Sequence, residues 1–109
     1  MTDITLPAPI EAWIRSISEA DGDAFVALFC EQGLVDDWGS RHVGRGAIRS
    51  WSDREFIGAR GRLVPIRAQQ SDNQVTLIAE WVSDYYNGHS RFVFVLEGDK
   101  ILEMRITSA

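Results

Sequence analysis

The chain has 109 residues, enough for one domain around a single core, and 45% hydrophobic with 25% charged residues mark it as globular rather than disordered. A net charge of −5 argues against general binding to nucleic acid or to an anionic membrane. No apolar run approaches the roughly 18 residues that a membrane span needs. The opening Met-Thr-Asp-Ile-Thr-Leu-Pro has neither the basic start nor the apolar core of a signal peptide. Cys30 is the only cysteine, which excludes an internal disulfide and a multi-thiolate zinc site and suits the reducing cytoplasm.

In chain order, Pro7 and Pro9 suit a first helical turn, where a missing N–H costs nothing. Ile10, Trp13, Ile14 and Ile17 follow at i, i+3, i+4 and i+7 and form one apolar stripe on a helix ending near Ala20. Gly22 interrupts, Asp23 can cap a second helix, and Phe25, Leu28 and Phe29 give that helix its buried side. Leu34 to Trp38 reads as the first strand. Side chains alternate along it, so Val35 and Asp37 share one face while Leu34, Asp36 and Trp38 share the other. Adjacent Asp36 and Asp37 therefore cannot act as a carboxylate pair.

A turn at Gly39-Ser40 leads past Gly44 and Gly46 to a third helix, about Ala47 to Ile57, with Ile48, Trp51 and Glu55 on one face. Gly58 and Gly61 end it, and the remainder reads as β. Leu63 to Gln69 is a strand with Pro65 near its start, Ser71-Asp72-Asn73 a turn, and Val75 to Asp84 an alternating strand. Asn87-Gly88 predicts a hairpin turn, Ser90 to Glu97 its partner strand, and Lys100 to Thr107 the last strand after Gly98-Asp99.

Both faces of these strands carry apolar side chains. Trp81, Leu77, Phe92, Phe94 and Leu96 fall on the helix-covered side, and Ile78, Val82, Val93 and Val95 on the other. A row of exposed β-branched residues forgoes about 1.5–3 kcal/mol for each one left unburied. The outer face is therefore expected to be covered by a second copy, making a homodimer. Charge is also uneven. Eight acids against Arg15 precede Ser40, whereas seven arginines lie between Arg41 and Arg67 against Asp53 and Glu55. That basic stretch could attract an anion, but solvated arginines facing the acidic helices or a second subunit explain it as simply.

The order helix, helix, strand, helix, then curved sheet resembles the SnoaL-like branch of the nuclear transport factor two superfamily. The matching text is Gly22 to Phe29, Val35 to Ser40, Gly44 to Trp51 and Gly98 to Ile106, spread over nearly the whole chain. The resemblance implies a single α+β domain over 1–109: a cone-shaped, curved antiparallel sheet covered by three N-terminal helices, the cystatin-like α+β barrel. It also implies an apolar interior that holds a small hydrophobic molecule and dimerisation through the sheet. Function is less defined, since such relatives include isomerases, cyclases, hydrolases, dehydratases and non-enzymatic binders.

Among these, ketosteroid isomerase offers the nearest comparison of sites. Its general-base aspartate matches Asp37. Its oxyanion-hole tyrosine falls at or beside Arg15, and its protonated aspartate around Arg91 or Phe92, so both donors are missing. In a cavity walled by Trp13, Trp51, Trp81, Phe92 and Met104, with Glu55 at its edge, Asp37 could take a proton from carbon beside a carbonyl, with His42 assisting. It could equally accept hydrogen bonds from the Gly39-Ser40 turn or pair with an arginine. His89 reads as structural, Cys30 as a small buried hydrophobe, and neither a metal nor a cofactor is implied. An enzyme acting on a carbonyl compound and a non-catalytic binder or dimeric scaffold both remain open.

Overall fold

Asp21, rather than Asp23, caps the second helix: its carboxylate accepts the Ala24 N–H at 3.0 Å. Asp23 is thereby free to pair with Arg49 across the helices at 2.6 Å. The computed structural model describes residues 6–83 and 87–109. Among them are α1 (Ala8–Ser18), α2 (Gly22–Ala27), β1 (Phe29–Asp37), β2 (Ser40–Val43), α3 (Arg45–Glu55), β3 (Arg62–Ser71), β4 (Gln74–Val82), β5 (Asn87–Glu97) and β6 (Lys100–Ser108). A short 3-10 turn, Ile57–Ala59, links α3 to β3. No described helix is long and apolar enough to cross a membrane.

The six strands form one open sheet in the order β2-β1-β6-β5-β4-β3. Four pairs are antiparallel, and β1 lies parallel to β6, which is the one departure from the all-antiparallel expectation. The three helices cover one face. Beneath them Trp13, Phe25, Phe29, Phe94 and Met104 are all completely buried. The outer face keeps Val82, Val93 and Val95 only half-buried.

β2 was not anticipated, and among the shifted boundaries three bear on the site. β1 starts at Phe29, five residues earlier than Leu34, because Phe29 pairs with Ile101 of β6 and buries its ring against Phe25 at 5.3 Å. α3 begins at Arg45, whose guanidinium donates from Nε (3.0 Å) and Nη2 (2.8 Å) to the Phe29 carbonyl, tying the helix start to β1. Asn87-Gly88 is not a turn. Both residues belong to β5, opposite Val82 and Trp81, and the connection lies at 83–86, of which 84–86 fall outside the described residues. Asn87 instead accepts the Ser83 N–H through Oδ1 at 3.0 Å. Asp84, expected at the end of the strand from Val75, likewise lies outside the described residues.

The tight hairpin is elsewhere. Asp37 pairs with Ser40, and the two residues between them, Trp38 (φ 54°) and Gly39 (φ 94°), both have positive φ, the signature of a type I′ turn. A tryptophan in that region is unfavourable on its own. Trp38 is held there by its N–H, which donates to the Ile106 carbonyl at 3.1 Å, and Asp36 Oδ1 accepts the Gly39 N–H at 2.8 Å.

Candidate functional site: an aromatic pocket at the end of β1

Strand register builds the floor of the site. Asp37 of β1 lies opposite Ile106 of β6, and Ile106 opposite Phe92 of β5, so three strands send one row of side chains toward the helices. One step nearer the sheet end, Ser90 pairs with Ala79. α3 closes over this row with Trp51, and its end delivers Glu55 and Phe56. Between floor and roof is a pocket of about 240 Å³.

Trp51, Phe56, Trp81 and Phe92 make its walls. The first three form a ladder: Phe56 stacks on Trp81 at 4.7 Å and 8°, and Trp51 on Phe56 at 5.1 Å and 18°. The polar groups are Asp37, Glu55, Ser83 and Ser90. Asp37 is half-buried, and its Oδ2 accepts the Trp51 Nε1–H at 3.0 Å. That bond fixes the carboxylate and satisfies an indole donor otherwise buried without a partner. Trp38, 57% exposed, stands at the rim with Ile106 below it.

Of the two neighbouring acids, Asp36 faces outward and takes the turn N–H, and Asp37 faces inward, as strand alternation requires. Among the described residues, Asp37 has neither the turn hydrogen bonds nor the arginine that a purely structural role would give it. Glu55 lies at the pocket edge, its side chain 52% exposed, with Arg54 Nη2 at 3.3 Å.

Three expected site residues lie elsewhere. Met104 is one inward row deeper than Ile106, opposite Val35 and Phe94, and is wholly buried beneath the helices. Trp13 is boxed in by Phe56, Phe92 and Phe94 at 6.0, 5.1 and 4.9 Å, so it backs the wall instead of forming it. His42 is opposite Val35 on β2 and stacks on Trp51 at 5.8 Å, with Nε2 3.4 Å from Ser40 Oγ. It touches the indole that holds Asp37 but does not line the pocket.

Phe56, Ser83, Ser90, Trp38 and Ile106 are pocket residues that the sequence reading did not single out. Two had a signal. Ser90 and Ile106 share strand parity with Phe92 and Met104, so both had to face inward. Phe56 had none, because it follows the last helical turn, where its direction depends on how the chain leaves α3.

Cys30, expected as a buried hydrophobe at a helix end, is a half-exposed residue of β1 with Sγ 3.9 Å from Glu97 Oε1. Partial burial, and then the Glu97 carboxylate, push its thiol pKa upward. Among the described residues no group of His, Cys, Asp and Glu is placed to hold a metal ion.

No family model matches the sequence, and no curated protein matches it significantly. Solved structures do match. A candidate polyketide cyclase from Sinorhizobium meliloti superposes with a TM-score of 0.87 at 21% identity, over 94% of this chain and 95% of that one. A Catenulispora acidiphila protein with a ketosteroid isomerase-like fold, in complex with trimethylamine, gives 0.83 at 18% identity over 96% and 88%. A Mycobacterium tuberculosis protein in complex with estradiol-17β-hemisuccinate gives 0.78 at 16% identity over 93% and 91%. The chain has the nuclear transport factor two-like fold that such structures share. Its three helices over an open curved sheet are the arrangement of the ketosteroid isomerase-like fold.

Proposed function

We propose that the chain binds a small, mostly apolar molecule in this pocket and presents Asp37 to it. The observation that carries the reading is the placement of the Asp37 carboxylate, held at 3.0 Å by Trp51 Nε1 in a pocket walled mainly by aromatic rings. The similar structures holding trimethylamine and estradiol-17β-hemisuccinate support the idea that this fold accepts small molecules. At about 240 Å³ the pocket is below the roughly 300–1,000 Å³ usual for drug-sized ligands, so its ligand is compact.

An isomerase- or cyclase-type reaction is one use of such a site, with Asp37 as general base on carbon beside a carbonyl. Binding without turnover is the second, and one observation favours it. Arg15 is exposed and Arg91 faces the opposite side of the sheet, leaving only Phe92 where a proton donor would be required. Among the described residues, an enolate oxygen would meet no strong donor beyond serine hydroxyls, and lost oxyanion donors cost about 10²–10³ in rate.

Titration of wild type and Asp37→Asn with compact cyclic ketones, read by tryptophan fluorescence, tests the reading. Saturable binding is expected, and its absence for every ligand tried would overturn it. Turnover lost on Asp37→Asn with affinity kept marks a base, and no turnover in either protein marks a binder.

The same reading includes a homodimer through the outer face, where Val82, Val93 and Val95 are half-buried and Val64 and Ile66 are 43% and 44% exposed. Light scattering that finds only monomer at micromolar concentration rejects it. A cytoplasmic setting completes the reading and rests on the lone free thiol, Cys30.

A further inference from the structure

We propose that the ligand is a small alkylated ammonium, a cation with an apolar jacket, held by Asp37 and the aromatic walls. The proposal rests on the binding reading above and names the chemistry of what is bound. Among the described residues, the charged groups of the lining all have one sign: Asp37 and Glu55 are carboxylates, and no arginine, lysine or histidine lines the pocket. Among the described residues, Asp37 enters no ion pair, and its one hydrogen bond comes from a neutral indole.

A half-buried carboxylate without a counter-charge is costly, and a bound cation supplies the missing charge. The rest of the wall is apolar: the ladder takes both faces of Phe56, and Trp51 also stacks on His42, so these rings offer contact area to an alkyl jacket and no charge to balance an anion. An anionic ligand would face two carboxylates with no basic group to offset them. A neutral ketone would gain from the walls but leave Asp37 unmatched.

Alkylation of the cation matters as well. A bare ammonium is compact and strongly hydrated, and two serine hydroxyls replace little of that water. Methyl groups on nitrogen reduce the hydration to be lost and pack against rings. The volume of about 240 Å³ limits the ligand to a few carbons around the charge. Glu55 is the weaker of the two acids, because Arg54 lies 3.3 Å away. Both of those side chains are exposed, at 62% and 52%, so solvent screens their pairing and Glu55 still contributes negative potential at the edge.

The experiment compares choline with its uncharged carbon isostere, 3,3-dimethylbutan-1-ol, by fluorescence titration and by NMR of the Trp51 indole N–H. Choline is expected to bind at least about tenfold more tightly, with a preference that shrinks as salt rises. Asp37→Asn should remove most of that preference. Glu55→Gln, a change at an exposed helix end, should reduce it by a smaller factor and serves as the check if Asp37→Asn folds poorly. Equal or tighter binding of the isostere overturns the ammonium proposal and leaves the pocket reading standing. Failure of both probes and of the ketones removes the pocket reading too.

Discussion

The two faces of the sheet carry depressions of nearly equal size and opposite charge. The helix-covered face has the pocket of about 240 Å³ with two acids and four aromatic walls. The outer face has a hollow of about 250 Å³ lined by Arg67, Arg91, Gln69, Thr76 and Ile78. Register alone separates them: Phe92 points inward and its neighbour Arg91 outward, just as Leu77 and Ile78 do on β4. The difference lies in what surrounds the charge. Asp37 is half-buried beside stacked aromatic rings, whereas Arg67 and Arg91 are exposed on the outer face, where solvent screens them. Burial, more than the number of charges, turns one of these hollows into a candidate site.

The largest way to break this contrast is Phe56→Ala. Phe56 lies between Trp51 and Trp81 and also approaches Phe25 at 5.6 Å, so its loss should cost about 3–5 kcal/mol in denaturant unfolding and abolish saturable binding. Next is Gly61→Ala, since a Cβ there would collide with the Trp81 ring. Overpacking of this kind costs about 1–3 kcal/mol. A shifted tryptophan emission with weakened binding is the expected signature, and unchanged emission would mean that Trp81 does not move.

Asp37→Asn should hold or raise the unfolding midpoint, because it removes a charge without a counter-charge while the amide oxygen still accepts the Trp51 N–H, and it should alter ligand preference. Arg67→Glu with Arg91→Glu should do the reverse. Pocket affinity should stay within about twofold, and any dimer seen by light scattering should weaken, since like and unlike charges across an interface set its specificity. Loss of pocket binding in that variant would show that the faces are coupled. The smallest effect concerns Cys30. Its raised pKa leaves less thiolate at a given pH, so alkylation near pH 8 should be slower than for an unhindered cysteine. A rate equal to that of a free thiol would remove the influence ascribed to burial and Glu97.

Where a residue's direction follows from local periodicity, the sequence was a sufficient guide. Of the Ile10-Trp13-Ile14-Ile17 stripe all but the half-buried Ile14 are buried, and the inward set Val75, Leu77, Ala79, Trp81 is buried as β4 alternation demands. Asp37 faces inward and Asp36 outward for the same reason. Turn chemistry was less dependable. Asn87-Gly88 has the stronger intrinsic preference for a type I′ turn, yet the strand ladder runs through it. The type I′ geometry falls instead on Trp38-Gly39, where a bond to the Ile106 carbonyl outweighs the steric cost.

Spacing and alternation by themselves determined three helices, an inward aspartate at the end of β1 and a sheet apolar on both sides, because those features repeat every 3.6 or 2 residues. Only tertiary structure decided which aromatic side chains border empty space and which fill it. Trp13, Met104 and His42 were indistinguishable in the sequence from pocket residues. Depth along a strand row and enclosure by other rings placed them behind or beside the pocket, and Phe56 entered it because the chain turns there on leaving α3. Pattern fixes the face a side chain points to, whereas distance from the open end of the sheet depends on how strands pair, and pairing joins residues far apart in the chain.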